Sequence, residues 1–153
     1  MIERMIERTA AAARRDRDAY AFGIWPAQAR HLAPIRRELR RWLAPLGMTG
    51  EAREDMVLAV GEAATNSVEH AYPEATTDED TVELIFWTEP DAVCVEIVDH
   101  GAWQTPPTDP RGRGRGIPIM RRLMESVLIH HGPDGTSVLL RCPVHDGVLR
   151  RAQ

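Results

Sequence analysis

Residues 49–71, TGEAREDMVLAVGEAATNSVEHA, read as one helix whose two sides have different chemistry. With Val60 as reference and about 100° per residue, Met56, Ala63, Ala64, Ser67 and Ala71 gather around Val60. On the same scale Glu62, Asn66 and His70 fall at about 200°, 240° and 280°. One side is thus a small, apolar packing face and the other a polar stripe available for chemistry. Thr49, ahead of Glu51 and Ala52, has the acceptor a helix start needs, and Pro73 stops the helix just beyond Ala71. Asn66 is the only asparagine in the chain.

Around this helix the pattern alternates between helix and strand. Ala19–Trp25 is a short strand, and Pro26 is expected to open a helix carrying Leu32, Ile35, Leu39, Trp42, Leu43 and Leu46, ending at Gly47. Its other side is basic, with Arg30, Arg36, Arg37, Arg40 and Arg41, and reads as a solvated face. Val82–Trp87 and Ala92–Val98 are β-rich runs separated by Glu89, Pro90 and Asp91, a hairpin signal. Residues 99–116, rich in Pro, Gly and Arg, are expected to be irregular. A helix over Ile117–Ser126 follows, then strands Val127–His131 and Thr136–Cys142 around Gly132-Pro133-Asp134-Gly135. A chain of 153 residues with 43% hydrophobic content accommodates one α+β domain. The expected division is a helical lead-in or linker over 1–18, which contains the repeat MIERMIER, a domain over 19–145 and a tail over 146–153.

Several function classes drop out early. The formal charge of −4 offers no general attraction for nucleic acid or an anionic membrane. All 19 basic residues are arginine. Without lysine there is no GxxxxGK[ST] phosphate loop, no strand lysine of a protein kinase and no Schiff base. The six histidines lack metal-ligand spacing, and His130 and His131 point to opposite faces of a strand. Cys94 and Cys142, in apolar strand-like runs, read as buried free thiols; with no signal peptide and no apolar span, a cytoplasmic location is expected.

Three motifs carry chemistry. Along the polar stripe, the Asn66 carboxamide offers an oxygen to a hard cation such as Mg²⁺, and Glu62, one turn away, can take a proton from a hydroxyl attacking a γ-phosphate. In VEIVDHGAW a strand delivers Asp99, an acceptor for the exocyclic amine of adenine, with Gly101 allowing close backbone approach to a flat base. In RGRGRGIPIMRRLM, Gly112, Gly114 and Gly116 precede a helix, so free amides and the positive end of the helix dipole meet where a polyphosphate can lie. Its arginines also fit an RGG-like RNA-binding segment, but the repeat is short, lacks interleaved aromatic residues and runs straight into a helix.

In this order GEAATNSVEHAY, VDHGAW, GRGIPIMRRLM and the later DGTSVLLR resemble the N box and two glycine boxes of the GHKL, or Bergerat-fold, ATPases. The match is closest to the small anti-sigma-factor serine kinases of the RsbW and SpoIIAB type and covers about residues 20–142. The resemblance implies a two-layer α/β sandwich, with a mixed, mostly antiparallel sheet, helices on one face and ATP between the layers. It implies that Asn66 coordinates Mg²⁺ and Glu62 is the general base. Asp99 would bind the adenine amine with Gly101 beside it, Gly114 and Gly116 would shape the phosphate loop, and Thr136 would support the adenine pocket. His70 is given a helix-capping or supporting role.

The implied activity is an ATP-dependent serine-protein kinase and anti-sigma factor in partner-switching control of transcription under stress. Its implied partners are a sigma factor, a STAS-domain anti-sigma-factor antagonist as phosphoacceptor, and a second copy in a homodimer through the Leu32–Leu46 helix; neither a membrane nor direct nucleic-acid contact is implied. The chain departs from the pattern in its lid, only twelve residues between Gly101 and Gly114. This motivates an alternative: a nucleotide-responsive binding module whose catalysis has decayed, or an excised regulatory domain of an actinobacterial SpoIIE-type phosphatase or sensor protein.

Overall fold

The computed structural model describes residues 20–72, 77–102 and 116–144. The expected lead-in, Gly112 and Gly114 of the phosphate loop, and the tail lie outside the described residues.

Five strands, β1 (Tyr20–Pro26), β2 (Thr81–Glu89), β3 (Ala92–Asp99), β4 (Ser126–Gly132) and β5 (Gly135–Pro143), form one sheet in the order β1-β2-β3-β5-β4. Every described pairing is antiparallel, so the parallel ladder of a mixed sheet is absent among the described residues. The helical crossover from β3 points β4 the same way as β3, but the β4–β5 hairpin folds β5 back between them, and no parallel pair is hydrogen-bonded.

Three helices, α1 (Leu32–Leu43), α2 (Gly50–Asn66) and α3 (Gly116–Leu123), pack on one face. Alternation along the strands sends Leu84, Phe86, Val95, Ile97 and Leu140 to that face, where they meet Ile35, Leu39, Leu43, Met56, Val60, Ala63, Ala64 and Met120. The small side chains of α2 let it lie close over the sheet, as its sequence predicts. Trp42 of α1 reaches down to Phe86 of β2, their ring centroids 5.9 Å apart. The opposite face, with Ile85, Trp87, Cys94 and Val98, carries none of the described helices. Cys94 and Cys142 are free, buried and on opposite faces of the sheet, so a disulfide between them is excluded by geometry. No helix among the described residues is long and apolar enough to cross a membrane.

Element edges required two corrections. Pro26 closes β1 opposite Thr81 instead of opening a helix, and the chain continues sheet-like to a bond from Ala27 N to Asp80 O at 2.7 Å. A 3₁₀ turn (Ala29–His31) intervenes, and Pro34 takes the first-turn place of α1, where a missing N–H is tolerated. At the other boundary α3 ends at Leu123, short of Ser126. Glu125 N already donates to Arg141 O at 3.1 Å and Ser126 pairs with Arg141, so sheet pairing ends the helix before its apolar periodicity does. The Thr49 hydroxyl accepts the Ala52 amide at 3.1 Å, and Gly47 adopts φ 69° after a 3₁₀ turn (Ala44–Leu46), both as the sequence suggests.

Candidate functional site

α2 does not run to Ala71 as an ideal helix. After Asn66 it widens into a π turn (Ser67–Ala71). Ser67, on the packing face as expected, is buried and directs its hydroxyl at the sheet. Its Oγ lies 2.8 Å from Asp99 Oδ2 and 3.3 Å from Ala63 O.

Asp99, at the end of β3, is 4% exposed. Its carboxylate accepts Ser67 Oγ–H, the Gly101 amide at 3.2 Å on Oδ1, and the backbone amide of Thr136, its register partner on β5. Burial pushes its carboxyl above the ordinary aspartate value, and the three donors oppose that shift without cancelling it. A fixed acceptor is thereby built into the floor of a cleft of about 460 Å³, counted with its open mouth. Ala63, Asn66, Ser67, His70 and Ala71 form one wall, Ile117 and Met120 of α3 another, and Ile129, Thr136 and Val138 the sheet side. Apolar walls enclosing a few converging polar groups suit a flat, amine-bearing ring.

At the edge of the cleft the helices nearly touch. A Cβ on Gly116, the first residue of α3, would stand 3.1 Å from Glu62 Oε2 and 3.3 and 3.5 Å from the two ends of the Asn66 carboxamide. Gly116 therefore leaves room for both polar ends to converge at the N-terminus of α3, where free amides and the helix dipole favour anionic oxygen.

The structure thus gathers Asn66, Asp99 and Thr136 around one cleft, with Glu62 and Gly116 at its rim. Gly101, between the cleft-lining Asp99 and Ala102, makes its close approach to the chain's own backbone. Its Cβ would fall 2.1 Å from Ala71 O, so its missing side chain seats the β3 exit against the end of the π turn, where Ala102 N donates to Ala71 O at 2.7 Å. His70 lines the wall and lies 3.7 Å from Glu69. Gly114 is outside the described residues.

Comparison with known proteins bears on this arrangement. Residues 25–142, more than half of the chain, match the family model described as a histidine kinase-like ATPase domain. The chain belongs to that family. Among curated relatives of this ATPase domain, the serine-protein kinase RsbW of Bacillus mycoides is 27% identical, over 75% of this chain and 79% of the relative. RsbW of Bacillus subtilis is 37% identical over 50% of this chain and 46% of its own length. Among solved structures, the RsbU and RsbW domains of Rv1364c from Mycobacterium tuberculosis superpose with a TM-score of 0.64 at 25% identity, covering 82% of this chain and 32% of that one. The GHKL resemblance and the α+β sandwich it implies therefore stand.

Three further residues hold this ATPase domain's cleft together and escaped sequence reasoning. Ser67 was hidden in a run of small residues. Tyr72 donates its hydroxyl to Thr81 O at 2.7 Å and accepts the His100 amide at 3.0 Å, fastening the π turn to the two strands beneath. Gly135, at φ 137°, has its Cβ position 2.0 Å from Asp99 O. Only the Gly-Pro-Asp-Gly turn signal around it was legible, not its contact with a strand 36 residues earlier.

Proposed function

We propose that this chain is an ATP-dependent protein-serine kinase and anti-sigma factor of a partner-switching pathway, acting in the cytoplasm through a domain spanning 19–145. In this reading it holds a sigma factor and phosphorylates a serine of a STAS-domain antagonist. The observation that carries it is the joint placement of a buried acceptor, Asp99, and two converging polar ends, Glu62 and Asn66, around one cleft at a helix N-terminus. The RsbW relatives, named serine-protein kinases, support it.

The donor set fits Mg-ATP. Oxygen ligands suit Mg²⁺, and Glu62 Oε2 and the Asn66 carboxamide converge beside Gly116, where no side chain stands between them and the N-terminus of α3. When bound, Mg-ATP supplies an electrophilic phosphoryl group with its charge partly neutralised. Asp99 accepts a hydrogen bond from the adenine amine and Thr136 closes the floor beside it. Asn66 offers its carboxamide oxygen to the cation. Glu62 Oε2 takes the proton of the incoming serine hydroxyl, and α3 presents its free amides to phosphate oxygens.

The test is radiolabelled transfer from ATP to a purified STAS-domain antagonist. Glu62→Gln is expected to lower transfer about 10²- to 10⁴-fold while Mg-ATP still raises the melting temperature. Undiminished transfer removes Glu62 from this role. Absence of any heat or thermal shift with millimolar Mg-ATP would favour the decayed binding module.

A further inference from the structure

Asp99 closes β3 with its side chain in the cleft, and strand alternation sends the next residue, His100, to the other face of the sheet, which carries no described helix. Among the carboxylates of that face are Glu96, 3% exposed and bonded to the Ser137 hydroxyl, and Glu83 of β2. The Glu83 side chain is 14% exposed, and its Oε1 lies 3.1 Å from His100 Nε2. Facing a carboxylate acceptor, that ring nitrogen carries the proton. The backbone of His100 is held from two further sides. Its amide donates to the Tyr72 hydroxyl at 3.0 Å, and a Cβ on Gly135 of β5 would stand 2.8 Å from its Cα, so that strand packs directly against it.

Two neighbouring side chains drawn to opposite faces fix the rotation of a strand end about its own axis. The constraint matters here because β3 ends at Asp99 and the chain leaves the sheet, to bond Ala71 through Ala102. On the cleft side the Asp99 carboxylate is tied by Ser67, Gly101 and Thr136. On the far side the Glu83–His100 pair is the counter-hold. An exposed ion pair contributes little, since two long side chains must be ordered and water screens them. Glu83, by contrast, is largely sheltered between its register neighbours Ile24 and Val98, and Tyr72 has already fixed the backbone of its partner.

We propose that Glu83 and His100 are positioning residues for nucleotide binding, holding from behind the sheet the turn that presents the Asp99 carboxylate to the cleft. Neither side chain lines the cleft, so both act through Asp99. The inference rests on the reading of that cleft as a nucleotide site, and not on phosphoryl transfer.

Calorimetric titration of Mg-ATP into the full chain and into Glu83→Ala, His100→Ala and the double variant tests it, under conditions where all four are folded by circular dichroism. Each single variant is expected to weaken Mg-ATP about three- to tenfold, and the double variant to be no weaker than the worse single, because the second substitution removes a partner already without function. Wild-type affinity in both singles, or full additivity in the double, overturns the proposal. A second readout needs no nucleotide. The Gly101 amide donates to Asp99 Oδ1, so its hydrogen exchange reports where that carboxylate sits. It should accelerate about three- to tenfold in either single variant while Val95 and Ile97, at the centre of the sheet, keep their wild-type rates, a difference that a loss of overall stability does not produce. Equal acceleration at all three amides makes the pair a general brace and overturns the positioning role, as does an unchanged Gly101. If Glu83→Ala does not fold, His100→Ala, a change at a side chain 39% exposed, carries both measurements. Absence of heat with the wild-type chain is the failure of the nucleotide reading and takes this inference with it. Heat with the wild-type chain and unaltered affinity in the variants is the failure of this inference alone.

Discussion

At Asp99 burial and hydrogen bonding pull in opposite directions, and burial wins, leaving the carboxyl titrating above its ordinary value of 3.8. With the folded value raised, the group's contribution to stability is fully present below pH 3.8 and is lost as pH rises through the folded value. Acidifying from pH 7 towards 4 should therefore shift the stability difference in favour of the wild-type chain over Asp99→Asn, measured by urea unfolding of both proteins at each pH. On the proposed reading nucleotide binding runs the other way, because accepting the adenine amine would call for an unprotonated oxygen. Asp99→Asn is expected to weaken Mg-ATP about ten- to a hundredfold at pH 7.5 by calorimetry, the loss of one charge-assisted hydrogen bond. Gly101 was legible as a close-approach glycine, but not what it approaches. Because a Cβ there would meet the backbone oxygen of Ala71 at 2.1 Å, Gly101→Ala should cost about 2–4 kcal/mol in chemical denaturation, with or without nucleotide.

Among the elements, the π turn after Asn66 governs the site. It exists where the chain is tied down on several sides: Ser67 to Asp99, Ala71 to Ala102, and Tyr72 to Thr81 and His100. Tyr72→Phe removes one donor and one acceptor from part-buried backbone partners. About 1–2 kcal/mol of stability should be lost, with slowed amide exchange at His100 relieved as the local readout. Helical periodicity gave no hint of this turn, because a five-residue widening is paid for by tertiary contacts that leave no mark on local propensity. The hairpins were legible, since alternating apolar runs and Pro-Asp or Gly-Pro-Asp-Gly turns are local signals. Helix edges at Pro26 and Ser126 were not, because pairing partners far along the chain, Thr81 and Arg141, decided them.

For the whole molecule the expected response is thermal. If the cleft binds Mg-ATP, a hundredfold excess over Kd adds about 2.7 kcal/mol and raises the melting temperature by roughly 5–10 °C in differential scanning calorimetry, and Asp99→Asn should blunt that rise. Local chemistry written in the sequence was enough to determine the α+β class, the helix with one small face and one polar stripe, the hairpins and the candidate groups Glu62, Asn66, Asp99 and Gly116. Each depends on spacing along a single element or on the intrinsic reactivity of a side chain. Tertiary structure alone decided that β1 pairs with β2 and β3 with β5, both antiparallel, that Ser67 and Thr136 both donate to Asp99, that Gly101 seats against Ala71, and that the helix-free face is buried around Glu96. These contacts join residues about 30 to 67 positions apart, and which of them form depends on how whole layers pack, a quantity no local pattern carries.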